Sequence, residues 1–457
     1  MIERWLFAGF MAVLIWAPLP FASNRVWAGA LLHIVLGALA CGWLILHILG
    51  KVHIERRSWL YVRWPLALLV VLNIWIGLQM LPLPRGLVEF LSPLSFELHV
   101  GEGWLTLSLD PINQQYYWLK SLSVLTSFFL VATLVNSYRR VQLMLGVLVF
   151  SGTLQALYGS IMVLSGWEIG FFVEKYTGLG VATGTFVNRN HLAGYLVMCL
   201  AAGIGLLLSQ LSTDNHSSWR DFARRWLRLM LSPKMRLRVY LAIMVVALVL
   251  TRSRMGNTAF FVSMGIAGVV ALCSGRKFSP RLLVLLASLL VVDMLILGQW
   301  FGFDKVVERL EQTNTQTEIR FDADDYAWAI LEDFPLTGTG GGSFYGIFPN
   351  YQGKDVKGYW DHAHNDYLEF AADLGIPAAL LMILFVALAL RAAVLLQLRR
   401  QTPLYKGVGF AVVMTVCWAA IHSWVDFNLQ IPANAVTFVA ILGLGFVCRG
   451  LPRENGK

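Results

Sequence analysis

Two histidines and an aspartate stand two residues apart in the stretch "DHAHNDYLEF" at residues 361–370. Three interpretations fit His362, His364 and Asp366. Their spacing is one that metal hydrolases use for ligands. A histidine beside carboxylates also serves as a general base near neutral pH. The third interpretation is the solvated start of a helix, and the rest of the chain has to decide between them.

A metal site is the weakest of these interpretations. Zinc needs three or four ligands, at least one of them from elsewhere in the chain. The other candidate histidines, such as His99, His191 and His422, are scattered and form no second cluster with cysteine. The five cysteines all lie in apolar runs without a CxxC pair, which is typical of packing residues. We therefore predict no metal.

A helix start fits the stretch well. Asn365 or Asp366 can cap the helix, and Gly375 can end it. Pro377 then suits the first turn of a following helix. These positions predict a short helix directly before a membrane span.

Helical spacing also separates two faces of this short helix. Asp366, Glu369 and Asp373 form an acidic stripe, which we expect to be solvated. His364 would share a different face with Leu368 and could look into the protein, where it suits a base that removes a proton from a hydroxyl.

Composition indicates a membrane protein. The chain has 457 residues, of which 57% are hydrophobic and 14% charged, whereas soluble domains carry about 25% charged residues. Apolar runs near the length of a bilayer crossing recur throughout. We predict an all-α polytopic protein, one integral membrane domain over 1–457, whose first run is a retained helix rather than a signal peptide. The twelve predicted spans are 5–22, 26–49, 64–81, 117–135, 141–164, 190–211, 237–250, 257–274, 281–301, 374–398, 406–424 and 430–448.

The net charge of +9 could suggest a nucleic-acid partner, but the basic residues follow topology instead. If both termini lie on one side, most of the Lys and Arg fall in short connections on that same side. This bias predicts that both termini are cytoplasmic and that no nucleic acid is bound. The opposite, periplasmic face then carries 82–116, 165–189 and 302–373, and a loop as long as the last is usually functional.

Three arginines lie at the predicted periplasmic face, where the bias of basic residues toward the cytoplasm does not explain them. Arg189 lies in "GTFVNRNHLAGYL", and Arg252 and Arg254 lie in "LVLTRSRMGN", a short connection between two spans. They could reach lipid headgroups, or they could form an anion site, since guanidinium groups hold phosphate oxygens with a two-pronged fork. Residues i and i+2 lie about 200° apart on a helix, so Arg252 and Arg254 cannot both face one cavity if the turn is helical. The spacing does not say which one binds.

Two motifs in the long loop resemble nucleotide sites, yet no nucleotide is available on the periplasmic face. "DADD" (322–325) contains a DxD pattern, and "GTGGGSF" (338–344) is rich in glycine without the Lys-Ser/Thr of a phosphate loop. We expect the glycines to form a tight loop that needs positive φ. A backbone nest for a pyrophosphate is the alternative.

These stretches together resemble the O-antigen ligase and O-antigen polymerase superfamily of bacterial inner-membrane glycosyltransferases. The similar motifs are "TGTFVNRNH", "TRSRMG", "FPLTGTGGGSF" and "HAHNDYLEFAADLGIP", within 183–378. His364, Asn365 and Gly375 match the family's histidine motif in order. Ala378 departs from it, because the family has Gly, Thr or Tyr there, and this leaves polymerases open.

The resemblance implies a fold of the glycosyltransferase-C type and a donor saccharide on undecaprenyl diphosphate at the periplasmic face. The acceptor hydroxyl would belong to lipid A–core in ligases, to a lipid-linked repeat in polymerases, or to a protein. No metal, cofactor or nucleotide sugar is implied. The family pattern places its diphosphate-binding arginines at Arg189, Arg254 and, more weakly, Arg320, and it makes His364 the catalytic residue. This pattern selects Arg254 over Arg252.

A transporter is the alternative from another class. It would place charges near the middle of the membrane and would show paired repeats with broken helices. Only Asp293 lies well inside a predicted span, and the arginines cluster at one face. This distribution favours an enzyme, whose sugar and acceptor the sequence leaves open.

Overall fold

The computed structural model describes residues 2–99, 103–210, 233–274, 314–356 and 358–452. Within these ranges the chain is almost entirely helical. A single hairpin of two short antiparallel strands, β1 (Ile169–Gly170) and β2 (Val173–Glu174), interrupts the described helices. The helices are α1 (Ile2–Trp16), α2 (Val26–Ile48), α3 (Arg56–Gln79), α4 (Arg85–Leu91), α5 (Pro93–Leu98), α6 (Pro111–Leu134), α7 (Tyr138–Ser165), α8 (Arg189–Ser209), α9 (Pro233–Leu250), α10 (Arg254–Ser274), α11 (Asn314–Asp333), α12 (Phe344–Ile347), α13 (Asp366–Leu374), α14 (Ile376–Arg399), α15 (Pro403–His422) and α16 (Pro432–Gly450).

Nine of the described helices are long and apolar enough to cross a membrane, which confirms the prediction of an all-α polytopic membrane protein. They are α2, α3, α6, α7, α8, α10, α14, α15 and α16. Two further predicted spans overlap α1, of 15 residues, and α9, of 18 residues, although α1 ends at Trp16, before the predicted end at 22. The predicted span 281–301, with Asp293, lies outside the described residues. The count of twelve therefore stays a prediction.

Several helices begin earlier than the apolar runs that predicted them. α6 starts at Pro111, because the side chain of Asp110 caps it by accepting a hydrogen bond from the backbone N–H of Asn113. α9 reaches back to Pro233, which confirms that the short predicted span 237–250 extends at one end. Polar first turns are invisible to a hydropathy pattern, and this accounts for the difference.

Three helices form the centre of the bundle. In the apolar stretch of α8 and in that of α16, 89% of the residues are buried inside the protein, and in α15 the share is 78%. α8 and α15 touch backbone to backbone, since a Cβ on Gly205 would lie 2.3 Å from the carbonyl oxygen of Gly407. Small residues at the contact allow this approach in a membrane protein. Nearer the start of α8, a Cβ on Gly194 would lie 2.4 Å from Asn428 Oδ1, so α8 also packs closely against the loop after α15.

The described connections lie at two ends of the bundle. At one end, Arg140 pairs with Glu3, and Arg400 donates a hydrogen bond to the carbonyl oxygen of Leu451. This end carries the segments that the sequence assigns to the basic side.

At the other end, the loops that precede α8 and α10 meet. The backbone N–H of Ala182 donates to the carbonyl oxygen of Leu250 over 2.9 Å. The loop after α15 joins them through the start of α13, since the N–H of Asp366 donates to the carbonyl oxygen of Ser423 over 2.8 Å. Among the residues that the structure describes, the histidines and arginines of the sequence motifs all lie at this end.

The long segment before α14 carries short helices, as predicted for its described part, 314–356 and 358–373. The glycine loop between α11 and α12 is tight. Gly338 has φ +67°, and a Cβ there would lie 2.3 Å from the carbonyl oxygen of Asp373. This confirms the expected need for positive φ and close approach. The N–H of Gly342 donates to Asp373 Oδ2 over 2.7 Å. One N–H group of the alternative pyrophosphate nest is therefore already bonded to a carboxylate of the protein.

Candidate functional site

The predicted boundaries of the short helix α13 are confirmed. The side chain of Asn365 caps it and accepts a hydrogen bond from the N–H of Leu368 over 3.3 Å. Gly375 follows the last helical residue with φ +83°, and Pro377 lies in the first turn of α14. α13 contacts both α11 and α14.

The prediction of a solvated acidic stripe on α13 is wrong. Asp366, Glu369 and Asp373 are 1%, 2% and 0% exposed. The spacing along one face is as expected, but that face packs against α14, α12 and the loop after α15 rather than against water. Buried carboxylates need partners. The partners of Asp366 and Asp373 come from distant parts of the chain, and those of Glu369 come from the turn before α13.

Asp366 ties α13 to the loop after α15. Its Oδ2 accepts hydrogen bonds from Ser423 Oγ over 2.8 Å and from the N–H of Leu429 over 3.2 Å. Burial raises the pKa of Asp366 well above its ordinary value, although the Ser423 hydroxyl opposes this shift. Burial likewise raises the pKa of Asp373, and the nearby charge of Glu369 adds to that shift. Burial therefore disfavours the ionised form of both carboxyls.

Glu369 holds the segment that leads into the histidine motif. Its Oε1 lies 2.6 Å from His362 Nδ1, and its Oε2 accepts from the N–H of Ala363 over 2.8 Å. Burial alone would lower the pKa of His362, but the Glu369 carboxylate outweighs burial and raises that pKa above its ordinary value. His362 is thus a partner of Glu369, next to the residue predicted to be catalytic.

His364 lies outside the helix, in a backbone conformation with φ +55°. The expectation that it shares a helical face with Leu368 therefore does not apply, because α13 begins two residues later. A non-glycine residue in the left-handed region is uncommon and is found at functional sites. The imidazole lies edge-on to Trp360, with ring centroids 5.7 Å apart, and 4.8 Å from the ring of Phe427.

Asp426, in the loop between α15 and α16, lies between two histidines. Its Oδ1 is 3.8 Å from His364 Nδ1 and 3.6 Å from His191 Nε2. These distances are too long for direct hydrogen bonds but short for an electrostatic interaction. Burial alone would raise the pKa of Asp426, yet the two imidazoles outweigh burial and hold that pKa well below its ordinary value. Asp426 is therefore an ionised carboxylate that is 1% exposed.

The first turn of α8 brings an arginine to this cluster. Asn188 caps the helix by accepting from the N–H of Asn190 over 2.8 Å, so Arg189 is the first helical residue. Arg189 is exposed, while His191, two residues on, turns inward to Asp426. One turn of helix thus carries both a cation at the surface and a histidine in the buried cluster.

Arg254 begins α10 in the same way. The connection before it is not helical, since Arg252 has φ +52°. The argument that only one of the two arginines can face a cavity assumed a helical turn, so it does not apply here. Both side chains are exposed. The starts of α8 and α10 pack together, because a Cβ on Gly256 would lie 2.7 Å from the Cβ of Ala193. The structure thus brings Arg189 and Arg254 to the ends of two adjoining helices.

The third predicted arginine, Arg320, lies in α11, but its side chain is outside the described ones. Further along α11, Asp324 Oδ2 accepts from Asn365 Nδ2 over 3.4 Å, and Asp325 is exposed. Among the described residues, no group of three or more His, Cys, Asp or Glu side chains is arranged to hold a metal ion.

Sequence reasoning missed Asp426 and Glu369 as parts of the site. A signal for Asp426 was present, since it is a charged residue in the short connection "SWVDFNLQ" between two apolar spans, where Arg254 was noticed by the same criterion. Glu369 had no such signal, because its role depends on the fold of the preceding turn.

Residues 239–383 match the family model described as O-antigen ligase. The match runs from α9 into α14 and includes Arg254, Arg320 and His364, while Arg189 and Asp426 lie outside it. No curated protein matches this chain.

Proposed function

We propose, from the match of residues 239–383 to the O-antigen ligase model, that this chain transfers a saccharide from undecaprenyl diphosphate to an acceptor hydroxyl at the periplasmic face of the inner membrane. The observation that carries the proposal is the convergence of His364 and His191 on the ionised Asp426, beside the first turns of α8 and α10. With both termini cytoplasmic, this end of the bundle faces the periplasm.

Arg189 and Arg254 bind the diphosphate of the donor. Each is the first residue of a helix, where the helix dipole favours an anion. Each is also exposed, so it can reach a headgroup that arrives in the membrane plane. Guanidinium groups at this place stabilise the negative charge that develops on the leaving diphosphate. Arg320 is the weaker third member of this set.

His364 removes the proton of the acceptor hydroxyl. Nδ1 faces Asp426, so the other ring nitrogen, Nε2, is the one that accepts the proton. The hydroxyl oxygen then attacks C1 of the donor sugar, the bond from C1 to the phosphate oxygen breaks, and its electron pair leaves with the diphosphate. A single attack inverts the configuration at C1. Asp426 stays ionised and stabilises the imidazolium that forms.

The step needs no metal in this scheme, because the arginines supply the positive charge that a cation would otherwise give the leaving group.

The acceptor is lipid A–core if the chain is a ligase proper. Ala378 favours a second candidate, a polymerase that adds lipid-linked repeats to one another. Ala378 is 2% exposed and packs with Leu72, Ile76 and Leu374 under α13. It stands where the ligase motif has Gly, Thr or Tyr, so this departure lies beside the C-terminal end of α13.

Single replacements test the proposal in cells. We expect each of three variants to lower polysaccharide transfer, seen on a gel, by a factor of about 10² or more: Arg189→Ala, Arg254→Ala and His364→Ala. The amount of each protein in the membrane should be normal. Arg252→Ala is the matched control and should retain transfer. Full transfer by Arg189→Ala and Arg254→Ala would contradict the diphosphate site. An inactive His362→Ala beside an active His364→Ala would show that the other histidine is catalytic.

A further inference from the structure

The basic end of the bundle contains a cavity of about 510 Å³ at the ends of three membrane helices. Arg57 in the first turn of α3, Arg449 in the last turn of α16 and Arg400, which follows α14, line it together. The described residues of its lining include no carboxylate. His364 lies at the opposite end of the bundle, so the proposed transfer reaction makes no use of this cavity.

Close packing of two backbones holds two of these charges together. A Cβ on Gly450 would lie 2.4 Å from the Cα of Ser58, so the end of α16 touches the start of α3. Arg449 and Arg57 precede these two contact residues by one position each. Like charges brought together repel each other, and the repulsion is relieved when an anion binds between them.

Aromatic rings, rather than carboxylates, support the guanidinium groups. Arg449 lies over the ring of Tyr61 at 4.5 Å, and Arg400 lies over the ring of Tyr405 at 4.9 Å. Stacking fixes the plane of a guanidinium group and leaves N–H donors at its edge. None of the ion pairs between described residues includes Arg57, Arg400 or Arg449. The buried Nε of Arg400 has no hydrogen-bond partner among these residues, and an unpaired buried donor is costly.

The predicted bias of basic residues toward the cytoplasm does not by itself explain this convergence. Arg400 and Arg449 stand at the C-terminal ends of helices, where the helix dipole favours a cation. Arg57 stands at the N-terminal end of α3, where the dipole disfavours a cation and favours an anion. An anion in the cavity therefore offsets the unfavourable position of Arg57 and gives the Nε of Arg400 an acceptor.

Exposed apolar side chains lead from the cavity along the outer surface of α3. Leu60 lines the cavity and, like Trp64 one turn further on, is more than half exposed. α3 is long and apolar enough to cross a membrane, so this exposed face is suited to lipid tails. A ligand whose charged group lies among the arginines thus has apolar surface directly beside it.

We propose that the cavity binds the phosphate group of an anionic lipid from the cytoplasmic leaflet, whose acyl chain lies along the exposed face of α3. Guanidinium groups bind phosphate oxygens with charge-assisted hydrogen bonds, and basic pockets between membrane helices on the cytoplasmic side are suited to lipid headgroups. The adjoining apolar surface selects a lipid over a free phosphate ion. The lipid is not a substrate, because the cavity lies at the membrane face opposite to His364.

Photo-crosslinking tests the site without requiring turnover. The purified chain in phosphatidylcholine nanodiscs is exposed to phosphatidylglycerol that carries a diazirine in one acyl chain, and the labelled peptides are mapped. Labelling should concentrate on the first turns of α3, around Leu60 and Trp64, and unlabelled phosphatidylglycerol should compete. The matched diazirine phosphatidylcholine should label these positions weakly, since its choline ammonium opposes binding at the arginines.

Two variants and a matched control sharpen the result. Arg57→Gln and Arg449→Gln should each weaken competition by phosphatidylglycerol by about fivefold. Arg57 is exposed, so its replacement alters little packing and should leave the fold unchanged. Arg139→Gln removes the same charge from an exposed position in the first turn of α7, outside the lining. It should stay within about twofold of the unmodified chain, because salt screens distant charges.

The outcomes separate this inference from the proposed reaction. Arg254→Ala should lose transfer and keep the labelling of α3. Equal labelling by the two diazirine lipids would overturn the site, as would equal losses in Arg57→Gln and Arg139→Gln. Competition by soluble glycerol phosphate as strong as that by phosphatidylglycerol would assign the cavity to a free phosphate and overturn the lipid.

Discussion

Two regions of the site differ in the burial of their charged groups. They are the arginine turns, which are the first turns of α8 and α10, and the carboxylate network, which is the acidic face of α13. Arg189 and Arg254 are exposed at the first turns of two helices, where a change of side chain alters little packing. Asp366, Glu369 and Asp373 are buried. Groups from distant loops hold Asp366 and Asp373, and the turn directly before α13 holds Glu369. The first region suits recognition of a headgroup that comes and goes. The second fixes the turn that presents His364, so changes there should act on stability as well as on transfer.

Asp426 belongs to both kinds of region, because it is buried like the network yet faces His364, the proposed base. Asp426→Asn should lower the rate of transfer by about 10²-fold, since the imidazolium formed on His364 loses its counter-charge. The initial rate with a purified donor measures this effect. Asp325→Asn, which alters an exposed aspartate on α11, should stay within about twofold of the unmodified chain because surface charges contribute little.

The arginine turns should be sensitive to geometry rather than to charge alone. Arg254→Lys keeps the charge but loses the two-pronged fork, so transfer should fall about tenfold. Arg252→Lys is the matched control, two residues earlier and equally exposed, and it should have no effect. Equal losses in the two variants would mean that this connection attracts anions only by its net charge.

The carboxylate network should show itself in the pH dependence of stability, with the smallest effect of the three. Burial raises the pKa of Asp366 in the folded protein. Its contribution is therefore present at low pH and is lost as pH rises above the ordinary aspartate range. Asp366→Asn cannot ionise, so its melting temperature relative to the unmodified chain should increase between pH 5 and pH 8, by an amount on the order of a few °C.

Melting curves of the two proteins at both values of pH give the comparison. A difference that is constant with pH, or that shrinks as pH rises, would show that Asp366 is ionised in the folded protein. Asp426 should behave with the opposite sign, since its lowered pKa contributes stability that is lost as pH falls through the acid range.

Much of the fold follows from local pattern, whereas the site depends on tertiary contacts. Apolar runs predicted the membrane helices, and Asn365, Gly375 and Pro377 predicted the ends of α13 and the start of α14, because caps and spans are set by neighbouring residues. Burial of the acidic face of α13 could not be predicted, since its partners, such as Ser423, lie more than fifty positions away. The same reason hid the contact between His364 and Asp426.

The proposed site residues were easier to predict than the backbone and the contacts around them. His364, Arg189 and Arg254 came from motifs, and the structure places all three at one end of the bundle. The positive φ of His364 had no signal in the sequence. Glu369 supports that turn through a side-chain contact and a backbone contact, and neither can be read from a spacing.

The central claim is that Asp426 acts through His364, and a double-mutant cycle tests it most directly. Transfer rates are measured for Asp426→Asn, His364→Ala and the double variant. If the two residues act as one unit, the double variant should be about as slow as His364→Ala alone, because Asp426 has nothing left to stabilise. Losses that multiply in the double variant would show independent roles and would contradict the account.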